Sequence, residues 1–311
     1  EVWVDGIKQL TGAIGEVNGV DEEGGHTVTY SGRDKTGDFI DSQIIGFDDI
    51  GGNISLKKAL ELILDNIGLN VGVVDLLEPE LFNAAEDVID DKDGTGSLNM
   101  AFAYGRKRQA LISSNADGDI CIETTKAKDS GAILQRVKNG ENNIISQSWS
   151  LIDSRLFNKY IHKGQVAPRA LNLAGINDVN VVENQRGTVV DNDVRAGRQK
   201  VIVEGKSYSS EQLLKRAKWS KQLAKAQATN FNCAVKDHTK YNGGLWRPNT
   251  LVVINSDAAD IHRKMLIDTV VFSGGEGQPT ITRLKMVEKD VYTIVEPKFK
   301  PIGALNDGFK S

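Results

Sequence analysis

Apolar positions along this chain recur with a period of two at both ends and with a helical period between. Val2-Trp3-Val4 and Ile7 to Leu10 flank Asp5-Gly6, which reads as a β-hairpin closed by a tight type I′ turn. The chain opens in mid-strand with Glu1 rather than Met, so we expect earlier strands of the same sheet to precede it. Residues 13–20 predict the next strand, and DEEGG at 21–25 a turn. His26, Val28 and Tyr30 then alternate with Thr27, Thr29 and Ser31, the pattern of a half-buried strand. His26 accordingly reads as a packed strand side chain rather than a ligand. In the next stretch, SGRDKTGDFIDS (31–42), Gly32 can end the ladder and Asp34 can N-cap a short helix over Lys35 to Asp41. Arg33 and Lys35 are spaced to pair with Asp38 and Asp41 at the surface.

Leu56, Ala59, Leu60, Ile63 and Ile67 fall at helical spacing, with Ser55 as N-cap and Gly68 as terminator. Residues 69–75 predict a strand, 78–89 fit either a helix or an extended segment, and about 97–108 a further helix. ALISSNADGDICIETT (110–125) is a hairpin turning at Asp117-Gly118. An alternating run at 156–163 contains His162, and 164–196 reads as loop. Residues 200–205 predict a strand, and Ser209 or Ser210 caps a helix running to about Thr229. Strands follow at 245–255, 264–274 and 280–289, the last two joined by GEGQP, which makes the second half an antiparallel β-domain with one helix. The fold class is therefore α+β, and no internal repeat is present.

The 311 residues carry 38 Lys and Arg against 42 Asp and Glu, a net charge of −4, which argues against a dedicated nucleic-acid binder. Cys121 and Cys233 match no metal or redox spacing and read as buried, reduced thiols. No stretch approaches the ~20 apolar residues that span a bilayer. Catalytic fingerprints are absent: there is no GxSxG, Walker A, HExxH or dinucleotide motif. The four histidines, at 26, 162, 238 and 262, share no ligand spacing. DDKDGTG (90–96) resembles a calcium loop, but its register puts Phe102 where a bidentate Glu belongs, so a polar loop is the better reading. SGRDKTGDFIDS has no His, Cys or Glu beside it and reads as structural punctuation. We therefore expect no catalytic, cofactor-binding or metal-binding residue. The helix LLKRAKWSKQLAKAQAT (213–229) is basic through Lys215, Arg216, Lys218, Lys221 and Lys225. It offers either a surface for phosphates or an acidic partner, or the solvated face of a packed helix, and the second reading is preferred. Lys215, Lys218, Trp219, Lys221 and Trp246 are the interface candidates, with core packing the competing role for both tryptophans.

SGRDKTGDFIDS, LISSNADGDICIETT, RGTVVDNDV (186–194) and GLWRPNTLVVIN (244–255), in this order and spacing, resemble the baseplate hub (tail) protein of Mu-like contractile-tailed phages and prophages. The resemblance implies antiparallel β-barrel-like domains with inserted helices and a mixed α/β middle segment. We divide the chain into the remainder of a first barrel (1–52), a mixed α/β domain (53–130) and a second barrel-like domain (131–311). It implies a non-enzymatic homotrimer whose ring adapts the sixfold tail tube to the trimeric spike. DNA would pass through the lumen without being gripped, and the ring would sit in the virion tail baseplate after assembly in the host cytoplasm. The rival readings are a tail-associated peptidoglycan hydrolase, which needs a Glu/Asp pair in a cleft, and a receptor- or glycan-binding tail module.

Overall fold

A computed structural model describes residues 1–45, 53–78, 80–82, 94–108, 110–124, 127–164, 185–203, 210–240 and 243–289. It divides into two compact units, Glu1–Thr125 and Lys126–Ser311.

In the first unit, β1 (Val2–Val4) and β2 (Ile7–Leu10) pair antiparallel, with Asp5 and Gly6 at φ 48° and 74°. Two consecutive left-handed residues are what a type I′ turn demands. The longer strands β3 (Gly12–Glu22) and β4 (Gly25–Asp34) form a two-stranded ribbon. Every residue from 12 to 33 in it is exposed. The half-buried strand expected for His26, Val28 and Tyr30 is thus corrected. The alternation is real, but nothing in the described residues covers its apolar side. His26 lies in solvent, its Nδ1 3.7 Å from Asp21.

Helix α1 (Gly37–Asp41) follows, then α2 (Leu56–Ile67), β5 (Val73–Asp75), α3 (Ser97–Lys107), β6 (Ala110–Ser114) and β7 (Ile120–Thr124). Ser55 caps α2 by accepting from the Lys58 N–H (3.2 Å), and Gly68 ends it at φ 68°. β7 lies between β5, which is parallel to it, and β6, which is antiparallel. The apolar stripe of α2 and the inward side of α3 cover this small sheet. Phe39 and Ile44 share their core with Leu60, Ile63, Met100, Tyr104 and Ile122. The division expected at residue 52 therefore runs through one core, and the change of unit falls at Thr125.

The second unit holds β8 (Lys128–Arg136), β9 (Ile144–Leu151), β10 (Lys159–Lys163), β11 (Arg186–Val190), β12 (Gln199–Val203) and α4 (Ser210–Ala228). β13 (Thr229–Lys236), β14 (Thr250–Ser256), β15 (Ile261–Gly275) and β16 (Gln278–Glu288) complete it. Six strands form one sheet in the order β8-β14-β15-β16-β13-β9. β8 runs parallel to β14, and in the second sheet, β11-β10-β12, β10 runs parallel to β12. Both sheets are thus mixed, where a purely antiparallel domain was expected. The stretch 186–190, read as loop, is strand β11.

Leu134 of edge strand β8 and Ile144 of edge strand β9 both join the core that Phe231, Ile254, Met265 and Met286 fill from the inner strands. The sheet is therefore curled around one side of all six strands. Asn143 ties the two edges at their connecting loop: its N–H donates to Gln135 O (3.2 Å), and its Oδ1 accepts from Gln135 N–H (2.8 Å). No ladder joins β8 to β9 among the described residues, so the sheet is open where a barrel-like closure was expected.

Helix α4 lies on the three-stranded sheet around the fully buried Tyr160, with Ala217 and Ala224 at the contact. A Cβ at Gly187 of β11 would fall 2.0 Å from the Leu213 carbonyl carbon, so the helix approaches to a distance only glycine permits. Gly187→Ala is expected to push α4 outward and destabilise the second unit by about 1–3 kcal/mol. A lowered midpoint in thermal or urea unfolding checks this; an unchanged midpoint would contradict so close a contact.

Candidate functional site

Two of the motifs singled out in the sequence meet in the first unit. Asp34 does not N-cap α1: the cap position is Thr36, whose side chain makes no capping bond. Asp34 is still in the β4 ladder opposite Gly12, so the helix cannot begin there. Its Oδ1 instead accepts from the Thr36 N–H (3.1 Å) and Oγ1 (2.7 Å), which makes a side-chain turn. Its Oδ2 accepts from Ser114 Oγ (2.6 Å) at the end of β6.

The loop after Ser114 is held by Asn115, whose Oδ1 accepts from the N–H groups of Asp117 and Asp119 (2.9 Å each). Gly118 sits in the loop at φ 82°, and a Cβ there would lie 2.9 Å from Thr11 O. Thr11 Oγ1 donates to Ala116 O (2.8 Å), and Lys8 pairs with Asp117. That pairing holds the Asp117 carboxyl below the usual range and raises the Lys8 ammonium. Asp117 and Gly118 thus do more than turn a hairpin: they dock the hairpin against the chain just before β3. Arg33 completes the corner by pairing with Asp41 (2.7 Å). Arg33, Asp34 and Asp41 of SGRDKTGDFIDS are thus engaged in this junction.

The other two motifs lie in the second unit. Asp191, in RGTVVDNDV, is 1% exposed, and its Oδ1 faces Lys225 (3.1 Å) and Lys221 (3.5 Å) of α4. Lys221 also donates to Val190 O (3.1 Å), and Lys225 to Asp193 (2.7 Å). Lys215 pairs along the helix with Glu211 at 2.9 Å. Of the five interface candidates, Lys221 is turned inward as a staple, Lys215 and Lys218 are exposed, and Trp219 is half-buried. Trp246, in GLWRPNTLVVIN, is 5% exposed inside the six-stranded core, so its role is packing rather than an interface anchor. Sequence reasoning missed Asp191; an Asp within an apolar-flanked run, opposite a basic helix, was the available signal.

The histidines stay apart. His162 is buried with its Nε2 2.8 Å from Ser220 Oγ, His238 stacks edge-on against Phe272, and His262 lies 3.9 Å from Asp257. No group of three metal-ligating side chains occurs among the described residues, and Asp90, Asp91 and Asp93 of DDKDGTG (90–96) lie outside them. Both cysteines are free and buried, and desolvation pushes the Cys233 thiol up to about 12. No helix among the described residues is long and apolar enough to cross a membrane.

A curled mixed sheet with a helix-covered three-stranded sheet, preceded by a ribbon and a small α/β core, is the fold of phage tail proteins. The 43 kDa tail protein of prophage MuSo2 from Shewanella oneidensis superposes with a TM-score of 0.75 at 20% identity, over 92% of this chain and 80% of that one. The tail protein of Neisseria meningitidis MC58 gives 0.72 at 16% identity, over 94% and 84%. In sequence, residues 209–294 match the fourth domain of the Mu phage baseplate assembly protein GpP. Baseplate hub protein gp44 of Escherichia phage Mu is 24% identical over 271 residues, 86% of this chain and 69% of that protein. The resemblance to Mu-like baseplate hub and tail proteins, drawn from four short motifs, is borne out.

Replacing both Lys221 and Lys225 by Met removes the cations set against a buried carboxylate, with an expected cost of about 3–5 kcal/mol. Adding Asp191→Asn should restore much of it. Lys225 also holds Asp193 below the usual aspartate range, chiefly through their hydrogen bond. A depressed folded pKa contributes stability in full above the unfolded value near 3.9, and the contribution disappears as pH falls through the lower folded value. Lys225→Met should flatten that acid limb. Urea unfolding between about pH 2 and 6 reads both effects, and an unchanged limb would contradict the pairing.

Proposed function

We propose that this chain is a structural baseplate hub of a phage or prophage tail, a homotrimer whose ring adapts the sixfold tail tube to the trimeric spike. The observation that carries the reading is the match of residues 209–294 to a baseplate assembly domain, within a fold that follows Mu-like tail proteins over more than nine-tenths of the chain. In this reading two sheet-rich units per subunit alternate around a lumen through which DNA passes. The barrel-like character belongs to the assembled ring, in which neighbouring elements complete what the single chain leaves open. The tube would be bound on one side and the spike on the other, in the virion tail baseplate, after assembly in the host cytoplasm.

A non-enzymatic role is supported by how the ionisable groups are used. Glu16, Asp117, Asp129, Asp193 and Glu211 are all shifted down, each by a hydrogen bond to a neighbouring side chain. A hydrolase needs a carboxyl held up as a general acid. The groove of about 390 Å³ across β9, β13, β15 and β16 is lined by Ser148, Asn232, Arg283 and Lys285 among others, and by no carboxylate.

Immunogold labelling of intact particles tests the reading. Antibodies to this chain should decorate the tail at the end distal to the head. Labelling along the tube or on the capsid would overturn it.

A further inference from the structure

The net charge of −4 hides a division between the two units. Residues 1–125 carry 9 Lys and Arg against 24 Asp and Glu, a net −15. Residues 126–311 carry 29 against 18, a net +11. An asymmetry of this size between two parts of one chain bears on partners, because the field of each part attracts the opposite sign.

Part of the positive charge converges at the end of the three-stranded sheet where β10 and β12 begin. Arg195 and Arg198 both reach the carboxylate of Asp153, in the turn before β10, at 3.2 and 2.7 Å. The charged groups of Arg198 and Lys200 lie 5.6 and 5.7 Å from the centroid of the Phe157 ring. Arg155, in the same turn as Asp153, donates to Gln227 O at the end of α4 (3.1 Å). Four cations thus gather on one carboxylate among the described residues, and the Arg195 side chain remains 74% exposed. The neighbouring Asp191 and Asp193 do not offset them, because Lys221 and Lys225 already balance that pair. Like charges held this close repel in the free chain, and contact with an anionic surface relieves the repulsion.

We propose that this cationic cluster is a docking surface for a second copy of the chain, seated against the acidic residues 1–125 of that copy. The inference rests on the homo-oligomeric hub reading and names the chemistry of its contact. Charge complementarity selects the occupant: every copy brings both signs, so a head-to-tail contact sets −15 against +11 at one-to-one stoichiometry. The two surfaces differ, so the contact repeats from copy to copy and closes as a ring. A nucleic acid meets the same cations, but the acidic part that each copy carries repels its phosphates.

Carbodiimide cross-linking of the full chain tests this, since the reagent joins lysine ammonium groups to carboxylates in contact with them. An equal mixture of ordinary and nitrogen-15-labelled protein, dissociated and reassembled, distinguishes links between copies, which carry both isotopes, from links within one. The expected product joins Lys200 of one copy to an Asp or Glu in residues 1–125 of another. Assembled protein whose mixed-isotope links from Lys200 end only within residues 126–311, or that gives none, overturns the contact and leaves the hub reading standing. By light scattering, Arg195→Glu with Lys200→Glu should weaken assembly by about tenfold or more. The control Lys138→Glu with Lys236→Glu makes the same change of net charge at other exposed positions of the unit and should assemble like the unaltered chain. Equal weakening of both variants reduces the effect to net charge and overturns the cluster as a site. Labelled duplex DNA that binds the unaltered assembly, but not an Arg195→Glu, Lys200→Glu variant of unchanged mass, assigns the cluster to phosphate and also overturns it. An unaltered chain that stays monomeric at every concentration overturns both readings.

Discussion

The unpaired edge of a β-sheet is the constraint on which most of this structure turns. Each open edge presents N–H and C=O groups that must find partners, and each exposed apolar strand face must be covered. Inside the second unit the requirement is met by curling: one side of all six strands faces a shared core, and Asn143 bridges the two edges at their loop. Where curling stops short of closure, β8 is bent at Gly131 and charged, β9 is bulged at Ile145, and Arg136 of β8 donates to the Ile144 and Ile145 carbonyls of β9.

The polar residues serve the same purpose at shorter range. In the first unit Asp34, Ser114, Asn115 and Thr11 tie the base of the ribbon to the hairpin that follows β6. In the second, Asp191 and two helix lysines fasten α4 over β11, and Gly187 lets the helix come close. Asp34 is hydrogen-bonded to Thr36 and Ser114, and Asp191 is ion-paired with Lys221 and Lys225, so each fixes the packing of its own unit.

Local signals were legible wherever local chemistry decides the outcome. Helix α2 could be read from its apolar spacing, Ser55 and Gly68, and the first hairpin from Asp5-Gly6, because caps and turns depend on a few neighbouring atoms. Asp34 shows the limit: an aspartate before a short helix can cap it or make a side-chain turn, and ladder pairing to Gly12 decides. Strand β13 starts at Thr229 with no turn residue after α4, so helix and strand merge in the sequence although Phe231, Cys233 and Val235 keep the period of two. The parallel pairings of β8 with β14 and β10 with β12 are long-range facts that no window reports. Alternation in His26, Val28 and Tyr30 said that one side of the strand wants cover, and no described residue supplies it.

The central claim is that one shared core holds all six strands of the second unit in a single curled sheet. Amide hydrogen exchange followed by mass spectrometry, across a series of urea concentrations, measures this directly. The account requires the edge segments 128–136 and 144–151 to lose protection together with the central strand β16. Exchange of the edges at low urea while β16 stays protected would contradict it.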